Sequence, residues 1–137
     1  MIAYVDTSVV LRIVLGEPGA LAEWRKIRTA ISSELLRVEA LRTIDRARIR
    51  LGLSDAEISA RRADVLAVIE GLELVPLGPE LLARAADPFP TLLRTLDALH
   101  LASAVRVQSV RPTLVFATHD LELAIAARAI GLRVIGA

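Results

Sequence analysis

Apolar residues along the chain fall in short dense blocks separated by longer stretches of mixed, helix-like periodicity. The opening block IAYV at 2–5 is apolar at successive positions and reads as a buried strand. Thr7 or Ser8 caps a helix over 8–15 that Gly16 and Pro18 end. Residues 19–30 suit a second helix. Ala30–Ser33 forms a short strand, and Ser33 caps a helix that runs to about Arg50, where Gly52 breaks it. Ser54 caps the next helix over 55–70, with Glu57 three residues on as in a capping box. ELVPL at 73–77 is a third strand, stopped by Pro76, Gly78 and Pro79. A short helix at 80–86, a loop at 87–90 and a long helix at 91–108 follow. TLVFAT at 113–118 is a strand, 120–130 a helix ended by Gly131, and LRVI at 132–135 the last strand.

Strands this short, apolar on both faces and separated by helices, predict an α/β sandwich with a parallel sheet covered on both sides. The 137 residues carry no internal repeat, linker or low-complexity tract, so 1–137 is expected to be one domain. A chain of this size buries roughly two thirds of its unfolded surface and needs no staples.

Composition narrows the chemistry. Cysteine is absent, which removes disulfides, thiolate zinc sites and cysteine nucleophiles together and fits a cytoplasmic location. MIAYVD does not resemble a signal peptide, and no apolar run reaches membrane-spanning length, so no membrane association is expected. Aromatics are only 3%, which argues against base stacking on an aromatic platform. The net charge of +1 is uninformative, but Lys26 is the only lysine and every other fixed cation is arginine, the residue suited to bidentate phosphate contacts. A GC-rich genome explains the same bias equally well.

Four acids stand out by position. Asp6 closes the first strand, Asp120 follows the strand 113–118, and Glu39 and Asp97 lie on helices. In an open parallel sheet, ligands bind beyond the carboxyl ends of the strands. Oxygen-only acids are what a hard cation such as Mg²⁺ takes. Two carboxylates about 5 Å apart repel by roughly 3 kcal/mol at an effective dielectric near 20, so a cluster of four calls for a cation or a retained proton. Asp6 and Asp97 read as direct ligands. Glu39 and Asp120 read as residues that hold waters, a second ion or the attacking water. Ser8 is placed to support Asp6, and Thr118 to support Asp120. Such a site would activate water for in-line attack on a phosphodiester.

The segments VDTSVVL at 5–11, SSELLRVEALR at 32–42, LDALHLASA at 96–104 and ATHDLELAIAARAIGLRV at 117–134 resemble the motifs of PIN-domain proteins, and in particular the VapC toxins of bacterial toxin–antitoxin modules. The likeness spans the chain and keeps the family's order. It implies a five-stranded parallel sheet in order 3-2-1-4-5. It also implies an endoribonuclease dependent on Mg²⁺ or Mn²⁺, with Asp6, Glu39, Asp97 and Asp120 as its acidic cluster. The implied partners are an RNA substrate, a cognate antitoxin and a second copy in a homodimer. One departure is visible: many relatives carry arginine just after the fourth acid, where this chain has Leu121 and Glu122.

Each residue has a plainer reading. Asp6, Ser8 and Asp120 suit helix caps, and Glu39 suits a solvated helix face. His100, in an apolar helix, reads as a core or hydrogen-bonded histidine, and His119 as a residue beside Asp120. Arg42, Arg46 and Arg50 recur every four residues, with Arg37 nearby; they make either an RNA-backbone stripe, led by Arg37, Arg42 and Arg46, or a solvated face paired with acids. Trp24 reads as core packing or a partner anchor. Two other functions stay open: a catalytically idle scaffold that binds an antitoxin, and a nuclease acting on DNA. A receiver-type phosphoacceptor is set aside because that fold needs a lysine beyond its fifth strand.

Overall fold

The computed structural model describes residues 1–137. Five strands, β1 (Ile2–Val5), β2 (Thr29–Ser33), β3 (Leu72–Val75), β4 (Val115–Ala117) and β5 (Arg133–Ile135), form one all-parallel sheet in order 3-2-1-4-5. The register sets Val5 beside Ala117 and Tyr4 beside both Ile31 and Phe116. Strand alternation divides the core. Ala3, Val5, Val115 and Ala117 pack on one face against α1 (Thr7–Val14), α2 (Leu35–Leu51) and α3 (Asp55–Glu70). Tyr4 and Phe116 stack on the other face, at 5.5 Å between ring centroids, under α5 (Thr95–Val110) and α6 (Leu121–Ala129). The short α4 (Pro79–Ala86) lies on α5. This is the three-layer arrangement that the apolar blocks predict.

Local signals hold where they are chemically specific. Ser54 and Glu57 make the reciprocal capping box of α3. Gly52 closes α2 in the left-handed conformation at φ 63°, which lets its N–H reach Arg48 O. Ser33 Oγ accepts the N–H of Leu35 at the start of α2.

β4 is shorter than the expected 113–118, α1 is capped by Asp6 rather than Thr7 or Ser8, and three further boundaries differ. The helix expected over 19–30 does not form; that stretch holds turns, a single 3₁₀ turn at Trp24–Lys26, and then β2. Arg28 N–H and Thr29 N–H both donate to Met1 O, so pairing with β1 overrides the weak helical periodicity. Trp24 accordingly sits on no regular helix; it packs, partly buried, against the α1–α3 side of the core. The long helix starts at Thr95 rather than 91, because Pro90 and the extended Arg94 (ψ 160°) delay it. β3 stops at Val75, before Pro76.

Candidate acidic site

The strand order reverses at β1, with β2 and β3 to one side and β4 and β5 to the other. Asp6 and Thr118 follow β1 and β4 directly, so the parallel register places them side by side at the carboxyl edge. α2 passes over that edge with Glu39, and the first turn of α5 brings Asp97. Asp6, Glu39, Asp97 and Asp120 line one cavity of about 380 Å³, together with Thr7, Ser8, Arg42 and Arg46.

Asp6 is 5% exposed and tightly held. Its Oδ2 accepts Ser8 N–H at 3.3 Å, Ser8 Oγ at 2.5 Å and Thr118 Oγ1 at 3.0 Å. Ser8 Oγ in turn accepts the N–H of His119, and Thr118 Oγ1 accepts that of Asp120, both at 3.0 Å. Each hydroxyl therefore takes an amide proton from the end of β4 and passes its own to Asp6. Thr118 thus supports the carboxylate of Asp6, and touches Asp120 only through its backbone. Oδ1 of Asp6 accepts none of these bonds, which leaves it for a ligand.

Glu39 is fixed by two residues whose sequence readings are a helix cap (Thr7) and a core or hydrogen-bonded histidine (His100). Its Oε1 accepts Thr7 Oγ1 at 2.9 Å and His100 Nε2 at 2.5 Å. His100 is 1% exposed, and its Nδ1 meets Tyr4 Oη at 2.9 Å. Burial pushes the Tyr4 hydroxyl far up, so Tyr4 keeps its proton. In the neutral ring, Nε2 donates to Glu39 and Nδ1 accepts from Tyr4. Burial opposes charge on His100, but the Glu39 hydrogen bond and the negative charges of Asp6, Glu39 and Asp97 outweigh it, and the pKa of the ring rises.

Asp97 is half-buried, and its pKa is raised. Desolvation is the main cause, followed by the charge of Asp120; Arg94 works against these, and Asp6 adds to them. Arg94 Nε lies 3.5 Å from Asp97, and its Nη2 lies 4.0 Å from Asp120. Asp120 caps α6, with Oδ1 accepting Leu123 N–H at 2.9 Å. The spacing of Arg94 three residues before Asp97 is the one signal that would have found it.

Of the arginines expected to serve a substrate, Arg42 and Arg46 line the cavity and Arg37 does not. α2 faces the cavity with 35, 38, 39, 42, 43 and 46; Arg37, two positions from Glu39, points to another side of the helix and is exposed. Arg42 pairs loosely with exposed Asp45 at 3.7 Å. Arg46 donates to Thr43 Oγ1 at 3.4 Å.

The donor set suits a hard divalent cation: four carboxylates and three hydroxyls (Thr7, Ser8 and Thr43), with no sulfur, in a pocket where desolvation and then the charge of Asp120 raise the Asp97 pKa. No three acidic or imidazole side chains converge as placed to hold one ion. The fit is therefore to a cation such as Mg²⁺, which keeps several waters and takes only one or two carboxylates directly. A larger cleft of about 630 Å³ lies between β3, α4 and α5, but its charges are matched as Arg106–Glu80 (3.3 Å) and Arg111–Glu73 (3.0 Å) pairs.

Comparison with known proteins identifies the family and the fold. The PIN domain family matches residues 3–129. Three relatives from Mycobacterium tuberculosis, named ribonucleases VapC47, VapC46 and VapC35, are 30%, 34% and 36% identical. These alignments cover 93%, 96% and 96% of this chain and 91%, 95% and 94% of the relatives. A crystal structure of VapBC2 from Rickettsia felis bound to a DNA fragment from its promoter superposes with a TM-score of 0.66. It covers 98% of this chain and 97% of that one at 10% identity, which speaks to the fold alone. No helix is long and apolar enough to cross a membrane.

Proposed function

The chain belongs to the PIN domain family, in its VapC branch, and on that premise we propose that it is a divalent-metal-dependent endoribonuclease, the toxin of a toxin–antitoxin pair. One observation carries the reading. Four carboxylates from four separate segments face one cavity at the strand-order reversal, where desolvation and then the charges of Asp120 and Asp6 raise the Asp97 pKa. A solvated set of caps and helix-face acids would not share a cavity.

A bound Mg²⁺ or Mn²⁺ supplies Lewis acidity, making water a better nucleophile and drawing off charge that builds on the phosphoryl group. The chain's own residues do the rest. Asp6 offers Oδ1 to the cation while Ser8 and Thr118 lock Oδ2. Asp97, whose raised pKa comes first from desolvation and then from the charge of Asp120, would be the second direct ligand, and a cation there would offset that charge. Glu39, held by Thr7 and His100, would accept a proton or hydrogen bond from the attacking water, and Asp120 lines the same cavity. Arg42 and Arg46 approach the substrate phosphates from α2. Nothing in this set touches a 2′-hydroxyl by necessity, so DNA belongs in the test as a competing substrate. An antitoxin and a second copy of the chain are the partners this reading brings with it.

The test is cleavage of total cellular RNA with end mapping, alongside single-stranded DNA, in Mg²⁺, in EDTA and with Asp6→Asn. Defined RNA ends in Mg²⁺ alone are expected. Cutting that persists in EDTA or in the Asp6→Asn protein would remove the metal mechanism, and cutting of DNA alone would replace the substrate.

A further inference from the structure

A strand that places one phosphate among the acids must carry its neighbouring phosphates over the rims of the cavity. On the α2 side Arg42 and Arg46 are ready for one. Asp120 forms a wall shared with a second, open cavity of about 610 Å³, lined otherwise by Arg94, His119, Leu121 and Glu122. Leu121 and Glu122, which follow Asp120, bring no positive charge there. Arg94 is the one fixed cation in that cavity, and it comes from a different element, the cap position of α5.

The state of Arg94 suits a phosphate. Its side chain is 80% exposed. Its approaches to Asp97 and Asp120, at 3.5 and 4.0 Å, are ion pairs without hydrogen bonds, so the donor fork is uncommitted. A cation held at Asp97 would weaken that carboxylate's hold on the guanidinium further, while the reach of Arg94 beyond Asp120 would be unchanged.

We infer that Arg94 is a second phosphate-binding position, beyond Asp120, so that the substrate backbone crosses the acidic site from Arg42 and Arg46 on α2 to Arg94 at the start of α5. The inference rests on the nuclease reading. Because phosphate carries no base identity, the contact is sequence-independent. Glu122, on the same wall, opposes it by charge repulsion.

The experiment measures binding of fluorescein-labelled single-stranded RNA by anisotropy, in Mg²⁺ from 50 to 200 mM salt, using Asp6→Asn protein as the reference. Adding Arg94→Ala is expected to weaken binding roughly tenfold at low salt, the worth of one charge-assisted hydrogen-bonding contact. It should also flatten the slope of log affinity against log salt by about 0.7. The loss should be equal on oligouridine and oligoadenine. Glu122→Gln should tighten binding about twofold to threefold, as removal of one exposed like charge does. An unchanged salt slope in the Arg94→Ala protein overturns the inference, as does a loss confined to one base composition or an absence of RNA binding in the reference. Wild-type cleavage in Mg²⁺, run in parallel, judges the nuclease reading separately: a protein that binds RNA through Arg94 but never cuts it defeats that reading alone.

Discussion

Nε2 of His100 lies 2.5 Å from Oε1 of Glu39, joining α5 to α2 directly over the carboxyl edge of the sheet. The ring is anchored from below by Tyr4, in the central strand. A side chain of the acidic site is therefore wired to the middle of the core. His100→Ala leaves the buried Tyr4 hydroxyl and the partly buried Glu39 without their shared partner, and a loss of about 2–4 kcal/mol is expected, read by urea melts. Glu39→Gln still accepts from Thr7 and His100, so it should keep its melting temperature while losing about 100-fold or more in cleavage rate. A Glu39→Gln protein that cleaves normally would strip Glu39 of its role.

Thr118→Val keeps the shape of a fully buried residue but removes one donor to Asp6 and one acceptor for Asp120 N–H. The expected cost is about 1–3 kcal/mol of stability, the usual range for leaving a buried group unpaired. A drop in cleavage of roughly tenfold should accompany it as Asp6 loosens. Rate and denaturation measured on one preparation separate the two effects.

Metal-free protein should lose stability as pH rises. Folded Asp97 keeps its proton above 3.8, the ordinary value at which the unfolded chain releases it. Folded His100 likewise stays protonated above 6.5. In both cases the folded state holds more protons than the unfolded one, so stability present at low pH is lost as pH climbs through each folded pKa. Thermal melts in EDTA from pH 5.5 to 8.5 should fall steadily. Asp97→Asn should melt about 4 °C higher than wild type at pH 7.5, equivalent to about 1 kcal/mol. A melting temperature that climbs with pH would contradict the charge assignment.

Mg²⁺ or Mn²⁺ should reverse that trend. At tenfold excess over its dissociation constant, a ligand of the folded state adds about 1.4 kcal/mol. The gain should be larger at pH 7.5 than at pH 5.5, where protons compete for Asp97, and Asp6→Asn should abolish it. Differential scanning fluorimetry with metal titration suffices, and equal gains in wild type and Asp6→Asn would place the ion elsewhere.

Arg46→Ala should weaken RNA binding several-fold and lower its salt dependence, whereas Arg37→Ala should change neither. The two residues carry the same charge on the same helix and only Arg46 lines the cavity, so the comparison tests the cavity rather than net charge.

The layers and the acids were readable because they rest on local chemistry. The apolar runs at 2–5 and 113–118 have no wet face to offer, and acids placed directly after them must stand at the sheet edge. The stretch 19–30 misled because its helical spacing is real but weak, and pairing of Thr29 with Ile2 is a contact between residues far apart in the chain. Thr7 and His100 were unreadable as site residues for the same reason: each looks like a cap or core residue until Glu39 arrives from another helix. Arg37 lies near the four-residue series of Arg42, Arg46 and Arg50 but one position off its register, and nearness in sequence does not say which side of the helix meets the acids. Order along β4 and α6 was clear from sequence, but which partner Thr118 would choose depended on β1 lying alongside.

Asp6 starts α1 as well as facing the cavity, its carboxylate accepting the N–H of Ser8. Tampering with the chemistry at this position is therefore also tampering with the scaffold. Asparagine can still begin the helix, while alanine forfeits about 1 kcal/mol there. An alanine-silenced protein would be a weakened fold masquerading as a pure loss of reactivity, and natural drift at this position is constrained from two directions at once.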